Sequence, residues 1–438
     1  MENSMSHLFN NNQEIKNDEG NPIPIVGTTT NPWGRQVLLV DDDTVQHTSH
    51  NRRKTSTYEI TDFATFPFSK NQNDFDEIVV GTASATHRPY LGMVELTVGD
   101  TIGDSIIRQT RRVQRYLPGR ANEASMAVIF NDLGAGVRAR CGIFDDFDGA
   151  YFEAIGSSEF NVVIRRNTAE GIVEERVERA NWNQDKLDGN GPSGITADPT
   201  KIQMMVIEYE WYGAGQVEFK FVINNNAYSV HQFNHANIHD HTWASRAALP
   251  IRFELTNVTG GSTSAQSILQ GSHSFLTEGT TTLLGKQVST DLPITGKTIA
   301  NANTFYPLVA IRLKTTALNS VVIPDEWAAG LLDKTDLFVQ VIQDPTVIGG
   351  TWVSAGSESP VEYNVTATSF TGGSIDSTFF ISEKQMGGTN RFAERAITQL
   401  FRKTTTTLGD TPAIFMIAGA AVDPDKLAWA SLGWIEVR

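Results

Sequence analysis

Met204-Met-Val-Ile-Glu-Tyr-Glu-Trp-Tyr212, Val217-Glu-Phe-Lys-Phe-Val-Ile-Asn224, Ala227-Tyr-Ser-Val-His-Gln-Phe233 and Leu249-Pro-Ile-Arg-Phe-Glu-Leu255 are four short runs of strand character. In the second run Val217, Phe219, Phe221 and Ile223 share one face while Glu218, Lys220 and Asn224 share the other, the period of two of a half-buried strand. Ile251, Phe253 and Leu255 repeat it. Gly213–Gly215 is a glycine-containing hairpin loop, and Asn224–Asn226 tolerates the positive φ of a tight turn. The spacing predicts an antiparallel meander.

Working outward, residues 1–34 are Asn-rich and broken by Pro22, Pro24 and Pro32, which predicts an extended N-terminal arm without a core of its own. Residues 35–256 carry short apolar runs separated by turns and are read as one mainly β, antiparallel domain. The stretch 257–304 is rich in Gly, Ser and Thr and poor in large apolar residues, the pattern of a linker or loop region. Residues 305–438 form a smaller β-rich α+β domain, with strands at Phe305–Leu313, Leu337–Gln343, Tyr363–Ala367, Ser377–Ile381, Ala413–Val422 and Trp434–Val437. Its helix is expected at Arg391–Lys403, where Phe392, Ile397, Leu400 and Phe401 recur at three-and-four spacing.

Composition excludes several classes. A net charge of −15 disfavours general nucleic-acid binding and coating of anionic membranes. A single cysteine, Cys141, allows neither an intrachain disulfide nor a thiolate metal cage. No apolar run approaches the ~20 residues of a membrane span, and the first residues lack the pattern of a secretory signal, so synthesis in a cytoplasm is expected. No phosphate-binding loop, dinucleotide fingerprint or nucleophile elbow is present, and the chain is read as a non-enzyme without cofactor.

Four constellations deserve weighing. His231, His235, His239 and His241 fall within eleven residues, but with no helix to align them they are read as loop histidines and no metal is expected. Glu208 and Glu210, two apart on one strand and about 7 Å apart, fit a glycosidic acid/base pair. Tyr212 stands where a third acid would be, and Lys220 on the next strand is placed to pair with a glutamate, so an ordinary charged sheet face is preferred. Asp145, Asp148 and Glu153 lack the spacing of a calcium loop and read as a turn between strands. Arg108, Arg111, Arg112, Arg115 and Arg120 are the densest charge in the chain and are assigned to a subunit interface in preference to nucleic acid.

Several motifs occur in fixed order: Ile106-Ile-Arg-Gln-Thr110, Tyr116-Leu-Pro-Gly-Arg120, Gly142-Ile-Phe-Asp-Asp-Phe-Asp-Gly-Ala-Tyr-Phe-Glu153, Asn181-Trp-Asn-Gln-Asp185, Leu187-Asp-Gly-Asn-Gly-Pro-Ser-Gly194, Phe233-Asn-His-Ala-Asn237 and Leu249-Pro-Ile-Arg-Phe253. Over about residues 35 to 260 the chain resembles a family of virion structural proteins of large tailed bacteriophages, including cyanophages. The resemblance implies a β-sandwich particle component, most naturally of the tail, baseplate or fibre-attachment apparatus, whose partners are copies of itself and other virion proteins. Within that class the alternative is a capsid or neck decoration protein. From another class, a carbohydrate- or receptor-binding module would stack a host-surface glycan on Trp211 and Tyr212, residues otherwise read as core.

Overall fold

The computed structural model describes residues 57–437, apart from 115–118, 158, 211, 247, 259–263, 280–284, 291–295, 319, 383–386, 392–401 and 404–410, together with two short strands nearer the N-terminus. Those two, β1 (Gly27–Thr30) and β2 (Gln36–Leu39), pair antiparallel within a separate unit spanning Met1–Ser56. The rest of the expected 1–34 arm, like most of 35–56, lies outside the described residues.

From Thr57 onward the architecture is antiparallel β-sheet; the helical turns among the described residues are two short 3-10 segments. The first sandwich is built from β3 (Tyr58–Ala64), β4 (Phe75–Val80), β5 (Ser84–Arg88), β6 (Met93–Val98), β7 (Ser105–Thr110), β8 (Ala121–Ile129), β9 (Val137–Phe144), β10 (Gly149–Ile155), β11 (Glu159–Thr168), β12 (Gly171–Glu178), β13 (Gln203–Glu210), β14 (Val217–Ile223), β15 (Asn226–Phe233), β16 (Ile251–Asn257) and β17 (Gln266–Glu278). One sheet has seven strands in the order β12-β11-β10-β9-β16-β7-β4, and the other has eight in the order β15-β14-β13-β8-β17-β6-β5. β3 lies beside the second half of β17, end to end with β6.

Alternation explains the packing. Val217, Phe219 and Phe221 of β14 point inward and meet Phe152 of β10 across the sandwich, with ring centroids 5.0 Å (Phe219) and 5.3 Å (Phe221) from Phe152. Phe160 and Trp182 close that cluster. The β13-β14-β15 meander forms as expected, and Asn224 and Asn225 turn its second corner at φ 52° and 64°. The fourth run does not join it: β16 crosses to the opposing sheet and pairs with β9 and β7. Inward-facing alternation is the same in either sheet, so periodicity alone does not assign the partner.

The expected 257–304 linker is a larger correction. β17 is thirteen residues long and sits between β8 and β6 in the eight-stranded sheet, with Ile268 and Phe275 fully buried. Its Ser and Thr residues are good strand formers, and its second face is polar, so a low apolar count disguised a central strand. Lys286–Ser289 and Lys297–Ile299 likewise belong to the second sandwich, where both pair with Lys426–Val437.

That second sandwich faces a sheet holding Val321–Leu331 and Lys426–Val437 against one ordered Val353–Ser354, Val361–Asn364, Tyr306–Leu313, Ile414–Ala421, Leu337–Gln343 and Ser374–Ile381. It has its own core, with Val309, Ile311, Trp327, Val339, Ile417 and Trp434 among its members. Most expected strands form, although Tyr363–Ala367 is replaced by Val361–Asn364, and several unexpected ones join them, the longest being Val321–Leu331, where a bulge between Pro324 and Glu326 absorbs the proline. The helix expected at Arg391–Lys403 is corrected at both ends, where Arg391 closes the strand Gly387–Arg391 and Arg402–Lys403 is itself a short strand, while residues 392–401 lie outside the described residues.

Candidate functional site

The arginine cluster turns inward. Arg108 on β7 is fully buried; its Nε donates to Glu77 Oε1 (2.9 Å) directly across on β4, its Nη1 to Gln270 Oε1 (2.5 Å) and its Nη2 to the Lys70 carbonyl. Its guanidinium lies 3.8 Å from the centre of the Phe75 ring. Burial, opposed by Glu77, lowers its pKa to about 10. Arg111 Nε donates to Asp76 (2.9 Å), and Arg112 lies 3.5 Å from Asp62. Arg115 is outside the described residues, and Arg120 is half-buried. The interface expected of these arginines is therefore corrected for Arg108, which has no surface to offer, while Arg111 and Arg112 keep part of their surface but face carboxylates of the same chain. Asp62, Asp76 and Glu77 lie far enough away in sequence that a local count of charge misses them.

The acidic loop is also satisfied from within. Asp145 Oδ1 accepts the backbone N–H groups of Phe147 (2.8 Å) and Asp148 (2.9 Å), and its Oδ2 pairs with Arg246 (2.8 Å). Asp148 accepts from Asn167 N (3.1 Å), Ser245 N (2.8 Å) and Ser245 Oγ (2.6 Å). Glu153 is held by Arg140 (2.7 Å) and Arg176 (2.6 Å). Donors occupy these oxygens, as a turn requires and a calcium loop would not. Gly149 is needed there for a second reason, since a Cβ on it would stand 2.3 Å from Phe144.

The outer face of the eight-stranded sheet gathers carboxylates. Glu208 of β13 lies directly between Glu123 of β8 and Glu218 of β14, a row of three across neighbouring strands. Lys220 Nζ bridges two of them, 2.6 Å from Glu208 and 2.9 Å from Glu218, which is the pairing the sequence called for. Glu210 stands opposite Ala121 two residues further along β13, and Tyr58 stands opposite Glu278 of β17. Burial, then the charges of Glu208, Glu123, Glu278 and Glu210, push the Tyr58 hydroxyl well above the ordinary phenol range. Glu208 and Glu210 are buried, not displayed on an open face as expected. Glu123, Glu278 and Tyr58 escaped the sequence reading, which had Glu218 on the face of Lys220, because only strand register brings them together. Beside this row, Tyr212 is 65% exposed at φ 44°, so it is a surface residue and not core. Trp211 lies outside the described residues.

The histidine run is brought together by a turn where a helix was thought necessary. After β15, the N–H groups of Ile238 (3.1 Å) and His239 (3.0 Å) both reach the His235 carbonyl, and Asn237 takes φ 61°. Ring centroids then lie 4.9 Å apart for His235 and His239, and 5.0 Å for His239 and His241. Glu175 on β12 joins them: one ligand atom from each of Glu175, His235 and His239 falls within 4.8 Å of the others. His231 is separate, its Nδ1 accepting from Asn183 N (3.2 Å). Burial lowers His231 to about 4, and burial with the neighbouring His239, His241 and Arg166 lowers His235 to about 4. The ground for dismissing a metal here, the lack of a helix, is thus removed.

No known protein family matches the sequence, and no curated protein does. Among solved structures the chain is similar to an endo-1,3-beta-glucanase from Streptomyces sioyaensis (8% identity, 51% of this chain and 97% of the other, TM-score 0.36). It is also similar to a legume lectin-like domain from Entamoeba histolytica (12% identity, 48% and 95%, TM-score 0.29) and a family 16 glycosyl hydrolase from Mycobacterium smegmatis (7%, 50% and 100%, TM-score 0.35). With each of these TM-scores below 0.5 the likenesses carry no argument, and the class rests on the sheet order of the chain itself. The class defined is an antiparallel β-sandwich protein of the jelly-roll or concanavalin-like kind.

Proposed function

We propose that this chain is a structural subunit of a tailed-phage particle, acting through contacts with copies of itself and with other virion proteins. The observation that carries the reading is an exposed apolar group. Phe63 on β3, Phe68 just beyond it, and Tyr90 and Leu91 in the β5–β6 turn are all solvent-facing, with Phe68 and Tyr90 almost wholly so. Register places them around one junction: β3 and β6 meet end to end along β17, and His87 of β5 is hydrogen-bonded to the Phe66 carbonyl (2.8 Å). Grouped aromatic side chains on a surface favour protein contact. The resemblance of the ordered motifs to the virion family supports the reading from another side, and within those motifs Asp145, Asp148 and Asp185 are spent on framework hydrogen bonds while Gly149 is held by close packing on Phe144.

Native mass spectrometry tests it with the double variant Phe68→Ser, Tyr90→Ser. Loss of oligomer with unchanged circular dichroism is expected; an unchanged mass distribution, or a parent protein monomeric at every concentration, counts against it. A glycan-binding role has one observation in its favour, the exposed Tyr212 beside the buried glutamate row. A glycan array should then show binding by the parent that Tyr212→Ala abolishes, and an array blank for the parent removes this second reading.

A further inference from the structure

β12 ends the seven-stranded sheet and β15 ends the eight-stranded sheet, so the first sandwich has one side where both sheets present their last strand. Glu175 projects from the first of these strands, and His235 and His239 from the turn that leaves the second. His235 is only 3% exposed, yet its Nδ1 has no hydrogen-bond partner, and neither has the buried Nδ1 of His241. A buried ring nitrogen left unmatched gives up its hydrogen bond to water and gains none in return, so such an atom within a cluster of ligand-bearing side chains calls for an occupant. Here the neighbours are a second imidazole and a carboxylate, all within 4.8 Å.

We propose that Glu175, His235 and His239 bind one divalent transition-metal ion of the zinc type, which ties the edges of the two sheets together. Two imidazole nitrogens and one carboxylate oxygen suit zinc, cobalt(II) or nickel(II); calcium and magnesium prefer all-oxygen sets. The fourth position falls to water or to His241, whose ring lies 5.0 Å from His239 and 6.3 Å from His235. Because the ligands come from two sheets, the ion favours the closed sandwich over any state in which the edges part. The site stands apart from the assembly proposed above and does not depend on it.

The test uses the full-length, untagged protein stripped with chelator. Calorimetric titration with zinc should show one equivalent bound, cobalt(II) should give the visible spectrum of a four- or five-coordinate nitrogen/oxygen site, and zinc should raise the unfolding temperature while calcium does not. Glu175 and His239 are exposed, so the double variant Glu175→Gln, His239→Gln should keep the parent's circular dichroism and lose zinc affinity by at least ~10-fold. Absence of saturable zinc binding by the parent overturns the site. So does unchanged affinity in the folded double variant, or calcium binding as tightly as zinc.

Discussion

His231 shows how one buried side chain sets a pH limit. Neutral, its Nδ1 accepts the Asn183 N–H; protonated, that nitrogen becomes a donor and the bond is lost. Burial holds the folded pKa near 4, below the ordinary value of 6.5, so between these values the unfolded chain binds the proton more readily. The stabilisation is therefore complete above about pH 6.5 and declines as pH falls toward 4, by about 1–2 kcal/mol after allowing for partial solvation. Urea midpoints at several pH values should show this slope, and His231→Gln should reduce it by His231's share while leaving that of His235, also lowered to about 4; an unchanged slope in the variant would place the proton elsewhere. Arg108 makes the complementary point for a cation. Arg108→Ala should cost ~3–5 kcal/mol in urea unfolding, because it leaves buried Gln270 and the Lys70 carbonyl without their donor, and Glu77 with Lys70 alone, beside a vacated space. A surface arginine kept for a neighbouring subunit would cost far less.

Strands were legible where one face is apolar and the other polar, as in β14, and obscured where the polar face is built from Ser, Thr and Gln. β17 is the instructive case: Ile268 and Phe275 are its buried anchors, while Ser267, Ser272 and Ser274 gave it the composition of a linker. Phe275→Ala should lower stability by ~3–5 kcal/mol in thermal or urea unfolding, whereas a linker residue would tolerate the change. Periodicity found the β13-β14-β15 meander but not the partner of β16, and it named Glu208, Glu218 and Lys220 without Glu123 or Glu278. Charge rows across a sheet are a property of register, which no single run of residues encodes. Lys220→Met, leaving Glu208 and Glu218 side by side without their cation, should destabilise by ~2–4 kcal/mol. Adding Glu208→Gln should recover part of that loss in the same unfolding assay, and failure to do so would mean the two glutamates are not coupled. The histidine turn belongs here as well, since helical spacing was the wrong template for rings gathered by a tight turn.

For the whole molecule, the −15 charge and the inward arginines together change the physics of association. Copies of so acidic a chain repel, and the basic residues thought to relieve that repulsion are engaged with carboxylates of their own chain. Contact through Phe63, Phe68, Tyr90 and Leu91 is short-ranged and indifferent to charge, so screening should help it. Raising salt from low to roughly 0.5 M is expected to strengthen self-association in light scattering, whereas contacts built on basic patches would weaken. The second sandwich was expected as a smaller α+β domain, whereas the mainly β fold class was open to reading from alternation. The assembly surface was not, because exposed aromatics at one junction come from strands that only the sheet order makes neighbours. The central claim, that this chain is a building part of a phage particle, is tested most directly by a high-resolution reconstruction of purified particles together with their protein composition. The account predicts that the chain is present in the particle, with its two sandwiches repeated about a rotational axis and Phe68 and Tyr90 covered by a neighbour. Particles that lack the chain, or that carry it with those two side chains open to solvent in every copy, would contradict it.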